Sequence, residues 1–242
     1  MRYKLVISYD GTDFAGFQIQ PNERTVQGEI EKALFNLTGQ EIRITPSGRT
    51  DTGVHALGQV ISFDLDTKID EKRLYKAINA YLPSDVRVLS SEIASNNFNA
   101  RKSAKRKTYE YSWYLSEIEI PTKERFALRV DNVDLENVKS AAKLLVGEHD
   151  FVAFSSTGSC VNTTVRKVYS VKVEKRGIDV KISITGNGFL YNMVRIICGT
   201  LLEIGLGKRA EQDIINALSS GNRKFAGKTL SAKGLCLKQV KY

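Results

Sequence analysis

The sequence predicts an α+β fold built from two halves with the same grammar. Three observations carry that reading. Short runs alternate apolar and polar residues as strands require, other segments place apolar residues every three or four positions as helices require, and the order restarts after a polar stretch, Ser95 to Lys107. Two ferredoxin-like halves side by side fit this order. The expected halves are residues 1-103 and 104-242, and because no residue-level repeat links them, the duplication rests on element order alone.

Each element has its own signal. Leu5, Ile7 and Tyr9 alternate as a first strand, and after a polar loop Val26, Ile30, Ala33, Leu34 and Leu37 recur at helical spacing, with Thr25 as N-cap and Gly39 as stop. Ile42 and Ile44 lead into a loop around Asp51; Ile61, Phe63 and Leu65 alternate beyond it. A helix around Leu74, Ala77, Ile78 and Tyr81 follows, then a strand at Val86 and Val88. The second half opens with alternation at Tyr109, Tyr111, Trp113 and Leu115. A helix then runs from Asp134 through Leu135, Val138, Ala142 and Leu145 to Gly147. Two strands come next, over Val165, Tyr169, Val171 and Val173 and over Ile178, Val180, Ile182 and Ile184. Helices over Leu190 to Ile204 and Glu211 to Leu218 precede a closing strand near Leu235 and Leu237.

Composition narrows the class of function. The chain has 242 residues, 42% of them hydrophobic, which is ordinary for a globular protein with a real core. A net charge of +9 argues for a polyanionic partner such as nucleic acid. No apolar run approaches the roughly 18 residues of a membrane span, and Met1-Arg2-Tyr3 leads straight into a strand rather than a signal peptide, so the expected compartment is the cytoplasm. Cys160, Cys198 and Cys236 form no Cys-x-x-Cys pair, and only His55 and His149 could join them, so neither a disulfide framework nor a metal centre is expected.

Several motifs compete for the function. Gly221 to Thr229 resembles a phosphate-cradling loop but has five residues between its glycines where that loop has four, and it follows a helix rather than a strand. It reads as a basic loop, so no nucleotide cofactor is expected. Arg101, Lys102, Lys105, Arg106 and Lys107 place five cations in seven positions immediately before Tyr109 and Tyr111, a pattern that suits both the backbone and the bases of a nucleic acid. Gly186 to Arg195 ends a strand and opens a helix with an apolar stripe of Leu190, Val194, Ile197 and Leu201, and Arg195 lies beside that stripe. The nonapeptide Gly48-Arg49-Thr50-Asp51-Thr52-Gly53-Val54-His55-Ala56 holds a carboxylate between two glycines with a guanidinium two positions upstream. In extended backbone those two side chains share a side, as one cleft would need, although the same composition also makes an ordinary surface turn.

This nonapeptide is similar to the active-site signature of the tRNA pseudouridine synthase A family. The likeness extends through Tyr9-Asp10-Gly11, Phe14, Gly16-Phe17-Gln18, Thr25-Val26-Gln27, Asn79-Ala80, Leu82-Pro83, Phe98, Ala100-Arg101, Tyr109, Tyr111, His149-Asp150-Phe151, Gly188-Phe189, Met193-Val194-Arg195, Gly234-Leu235 and Leu237. The resemblance implies the pseudouridine synthase fold, with two ferredoxin-like, RRM-like halves in one extended, mainly antiparallel sheet and a cleft between them. It implies Asp51 as nucleophile, Arg49 as the residue assisting base flipping, Tyr109 packed on the target base, Arg195 paired with Asp51, and Leu235 as an apolar wall. Phe98, Asn99, Ala100, Arg101 and Lys102, with Lys105 and Arg106 beyond, correspond to an RNA-binding segment. The implied activity is isomerisation of uridines 38, 39 and 40 in the tRNA anticodon stem-loop, without cofactor or metal, by a homodimer whose interface lies in the C-terminal half. Thr52 departs from the family's usual alanine, and Asn99 stands where some members have histidine. A non-catalytic RNA-binding protein or RNA chaperone is the alternative that charge and fold alone would allow.

Overall fold

The computed structural model describes residues 1–158 and 161–242, so Cys160 lies outside the described residues. In chain order the elements are β1 (Arg2–Tyr9), α1 (Val26–Thr38), β2 (Thr45–Pro46), β3 (His55–Asp64), α2 (Glu71–Asn79), β4 (Val86–Ile93), β5 (Arg106–Leu115), α3 (Pro121–Glu124), β6 (Leu128–Val130), α4 (Leu135–Lys143), β7 (Gly147–Asp150), β8 (Val165–Arg176), β9 (Asp179–Gly186), α5 (Met193–Gly205), α6 (Gln212–Ser220) and β10 (Leu235–Lys241). They divide into two compact units. The first holds Met1–Lys105 together with Cys236–Tyr242; the second holds Arg106–Leu235.

In the first unit β1 pairs antiparallel with β3 and β4, β2 adds to β3, and β10 runs parallel to β3 through Cys236 opposite His55 and Leu237 opposite Ala56. The alternation in β1 buries Tyr3, Leu5, Ile7 and Tyr9, and the helical spacing in α1 buries Val26, Ile30, Ala33 and Leu34. Thr25 caps α1 by accepting the Gly28 amide, and Gly39 closes it at φ 70°, a conformation that suits glycine. β3 is buried over most of its length, so its polar Gln59 and Ser62 are also buried. The register between β1 and β3 shifts between Ile7 and Tyr9, with the extra residue on β3, so that Tyr9 pairs with Ala56.

In the second unit β5, β9, β8 and β7 pair antiparallel in that order, and β6 lies parallel to β5. Trp113, Tyr111, Val180, Ile182 and Ile184 are fully buried with Val138 and Ala141 of α4. Two local expectations change. Gly147 does not stop α4, which ends at Lys143; it opens β7 at φ 131°. α5 begins at Met193 rather than Leu190 because Asn192 takes φ 60°, and it is buried around most of its circumference instead of along one stripe. Among the described residues no helix is long and apolar enough to cross a membrane.

Candidate active site

The loop between β2 and β3 is held from its backbone, at positions on both sides of Asp51. Thr50 is buried: its Oγ1 shares a 2.8 Å hydrogen bond with the Tyr9 hydroxyl, and its carbonyl accepts the Phe17 amide at 3.0 Å. Burial pushes the Tyr9 phenol far above its ordinary pKa, so it remains a neutral O–H near Thr50. Gly16, at φ 95°, lies so close that a side chain there would press on the Thr50 carbonyl at 3.1 Å and the Thr52 amide nitrogen at 3.4 Å. Upstream, Gln59 Nε2 donates to the Gly48 carbonyl at 2.8 Å while its Oε1 accepts from Ser47 Oγ at 2.6 Å. Downstream, the Val54 amide donates to the Asp51 carbonyl at 3.1 Å, and His55 Nδ1 accepts the Gly11 amide at 3.0 Å. A Cβ at Gly11 would collide with the Val54 carbonyl.

The chain from Gly11 to Gln27 makes this frame rigid. Ala15 N–H donates to the Arg24 carbonyl at 2.9 Å, and Gln27 N–H to the Phe17 carbonyl at 2.9 Å. Arg24 lies 4.1 Å over the Phe14 ring and grips Asp85 with both terminal nitrogens at 2.8 and 2.9 Å. Asp51 is half-buried, while Arg49 and Thr52 are exposed. Thr52 therefore fits at the loop tip without entering a packed core.

Of the expected RNA-binding residues, Phe98 to Lys102 and Lys105 lie in the same unit. The Asn99 side chain accepts the Arg101 and Lys102 amides at 3.0 and 2.9 Å, folding the backbone into a turn that leaves both cations exposed. Ala100 is fully buried; its amide donates to Ser62 Oγ at 3.1 Å, and its carbonyl accepts the Tyr242 hydroxyl at 2.9 Å. Phe98 packs on the Tyr242 ring at 4.9 Å, and the Lys105 amide donates to the Lys241 carbonyl at 2.8 Å. Asn99 thus serves as the turn's hydrogen-bond acceptor.

Tyr109, Arg195, Leu235 and Arg106 belong to the second unit. Tyr109 is largely buried on β5, opposite Ile184, with its ring edge-on to Phe189 at 5.2 Å. Arg195 projects from the first turn of α5. Its Nε donates to the Leu230 carbonyl and its Nη1 to Asn192 Oδ1, both at 2.7 Å, so the guanidinium orientation is fixed by two acceptors. Burial raises the pKa of the neighbouring Tyr111 phenol, an effect the Arg195 charge opposes. The Tyr111 hydroxyl donates to the Ser231 carbonyl at 2.7 Å, and Gly234 sits so close to the Tyr111 ring that a Cβ would meet it at 2.6 Å. That contact sets the turn from which Leu235 enters, itself buried.

Of the supporting residues, Tyr9, Thr50, Gln59 and His55 carried no role from sequence. A fully buried Gln inside an apolar strand is the signal that could have found one of them, since such an amide must bond something.

A family model described as tRNA pseudouridine synthase matches residues 5–108 and 141–242. Among curated relatives, tRNA pseudouridine synthase A of Oceanobacillus iheyensis is 46% identical over all of this chain and 96% of its own. The protein of the same name from Brevibacillus brevis is 45% identical, covering 100% of this chain and 99% of its own. A solved chain in a Cbf5-Nop10-Gar1 complex is far more remote, at 13% identity and TM-score 0.37, covering 97% of this chain and 57% of that one. With the model matched along most of its length and relatives at this identity from end to end, the chain belongs to the tRNA pseudouridine synthase family.

Proposed function

We propose that this protein isomerises uridines 38, 39 and 40 of the tRNA anticodon stem-loop to pseudouridine, with Asp51 as the nucleophile. The observation that carries the reading is the Gly48 to Ala56 signature, seated in a loop whose backbone is fixed on both sides of one half-buried carboxylate. The reaction breaks the N1–C1′ bond, turns the uracil, and joins C5 to C1′, with the C5 proton lost as N1 gains one. Atoms and electrons balance within the nucleotide, so no cofactor is required. Covalent attack by Asp51 divides one difficult step into easier ones. A base in a helical stem must first leave the stack, at a cost of a few kcal/mol that contacts from exposed Arg49 to the vacated space and phosphate would offset.

Tyr109 supplies the aromatic surface for the extruded base, Leu235 an apolar wall, and Arg195 the cation that holds the carboxylate ionised and directed. Arg101, Lys102, Lys105 and Arg106 neutralise phosphates, with Phe98, Asn99 and Ala100 shaping the turn that presents the first two. Action on neighbouring uridines fits recognition by shape and backbone rather than by base edges. The assembly we propose is a cytoplasmic homodimer joined through the C-terminal half.

The test maps pseudouridine on an unmodified tRNA transcript incubated with wild type and with Asp51→Asn, alongside binding of both. Wild-type conversion in the anticodon arm, with a variant that binds but does not convert, is the expected result. Equal behaviour of the two proteins in the mapping would overturn the role of Asp51 and favour a non-catalytic RNA-binding protein.

A further inference from the structure

The register shift between Val168 and Ser170 leaves Tyr169 as the extra residue of a bulge on β8, where a side chain is turned out of the regular ladder. Its ring is overlaid by the Arg106 guanidinium at 4.4 Å, from the first residue of β5, and Lys167 Nζ lies 5.9 Å from the same ring. Arg106 and Lys167 are exposed, Tyr169 is half-exposed, and among the described residues neither cation forms an ion pair with a carboxylate. The backbone around them is tied down: the Lys167 amide donates to Asn187 Oδ1 at 3.0 Å, and the Asn187 amide returns a 3.0 Å bond to the Lys167 carbonyl. Arg166 Nη1 bonds the Thr163 and Val165 carbonyls, both at 2.7 Å.

From this arrangement we infer that Tyr169, Arg106 and Lys167 form a second RNA subsite, in which an unpaired base of the tRNA stacks on the tyrosine–arginine platform and its phosphate meets Lys167. The inference rests on the tRNA reading above. Two unneutralised cations around one accessible ring match the two features a single-stranded nucleotide offers, a π-face and an anionic backbone. A stacked guanidinium extends the aromatic plane while keeping its charge. Arg106 and Tyr109 stand three positions apart on β5 and so project to opposite faces of the sheet by strand alternation. The subsite therefore takes a nucleotide other than the one packed on Tyr109.

The test measures binding of a fluorescent tRNA transcript by anisotropy in the Asp51→Asn background, with Tyr169→Leu, Tyr169→Phe and Lys167→Gln added singly. Thermal melts accompany each variant, and pseudouridine formation by the wild type is read on the same transcript. Tyr169→Leu keeps an apolar side chain but loses the π-face; it should weaken binding about tenfold while Tyr169→Phe stays within about twofold. Lys167→Gln should reduce the slope of log affinity against log salt by about one. Unchanged binding by Tyr169→Leu, or equal losses in the Leu and Phe variants, would overturn the subsite. If the binding pattern appears but the wild type forms no pseudouridine, the subsite stands and the catalytic reading falls.

Discussion

Each hydrogen bond around Asp51 does one job, and the single-residue consequences differ accordingly. With Asp51 as the proposed nucleophile, Asp51→Asn should lower turnover by at least about three orders of magnitude while the bonds at Gly48, Thr50 and His55 keep the loop folded, as a thermal melt beside the assay checks. Gly11→Ala acts in the opposite way, because the new Cβ strikes the Val54 carbonyl and neither backbone can yield without moving the loop. Overpacking of this kind costs about 1–3 kcal/mol, which denaturant titration will resolve, and turnover should fall with it. Tyr9→Phe removes the hydroxyl's bonds to Thr50 and Gln59, and its stability cost should be about 1–2 kcal/mol.

At the scale of elements, capping and charge set the margins. Thr25→Ala removes the acceptor of the Gly28 amide at the start of α1 and should cost about 1 kcal/mol by the same titration. On α5, Glu203 accepts the Lys228 amide at 3.0 Å and Arg209 Nε at 2.6 Å. Burial raises its carboxyl, but the Lys228 amide and Arg209 outweigh burial and leave it below the ordinary carboxylate value. A lowered folded-state pKa stabilises above the unfolded value and is lost as pH falls through the folded one. Glu203→Gln should therefore be less stable than wild type at pH 7, with the gap closing below about pH 4. Elements with strong periodicity were legible in the sequence, as the buried faces of β1 and α1 show. The short β2, β6 and β7 were not, because two to four residues hold no period and depend on a partner strand. The start of α5 was obscured by Asn192, whose left-handed backbone accompanies side-chain bonds to Arg195, three positions on, and to the distant Ser156. The Gly48 to Ala56 loop was legible as a signature, but its supports were not, since Tyr9, Gly11, Gly16 and Gln59 reach it across the fold.

For the whole molecule, net charge dominates the first encounter with RNA. The chain carries +9, and the exposed cations at Arg101, Lys102, Lys105 and Arg106 are grouped rather than dispersed. With roughly 6–10 phosphates contacted, tRNA affinity should fall about 10³-fold or more between 50 and 200 mM salt. A filter-binding series at several salt concentrations measures the slope. A flat profile would mean that the grouped cations do not meet phosphate.

The first unit is discontinuous: Cys236–Tyr242 joins a body otherwise complete by Lys105. On a ribosome, Cys236 and Leu237, the strand partners of His55 and Ala56, are made only after the whole of the second unit. Tyr242, which packs on Phe98 and donates to the Ala100 carbonyl, follows them directly after β10. A nascent chain thus has no fully braced turn at Phe98 to Lys102 until the second unit has been made. The order of translation itself makes the first unit wait for a contact that spans 142 residues before it can close.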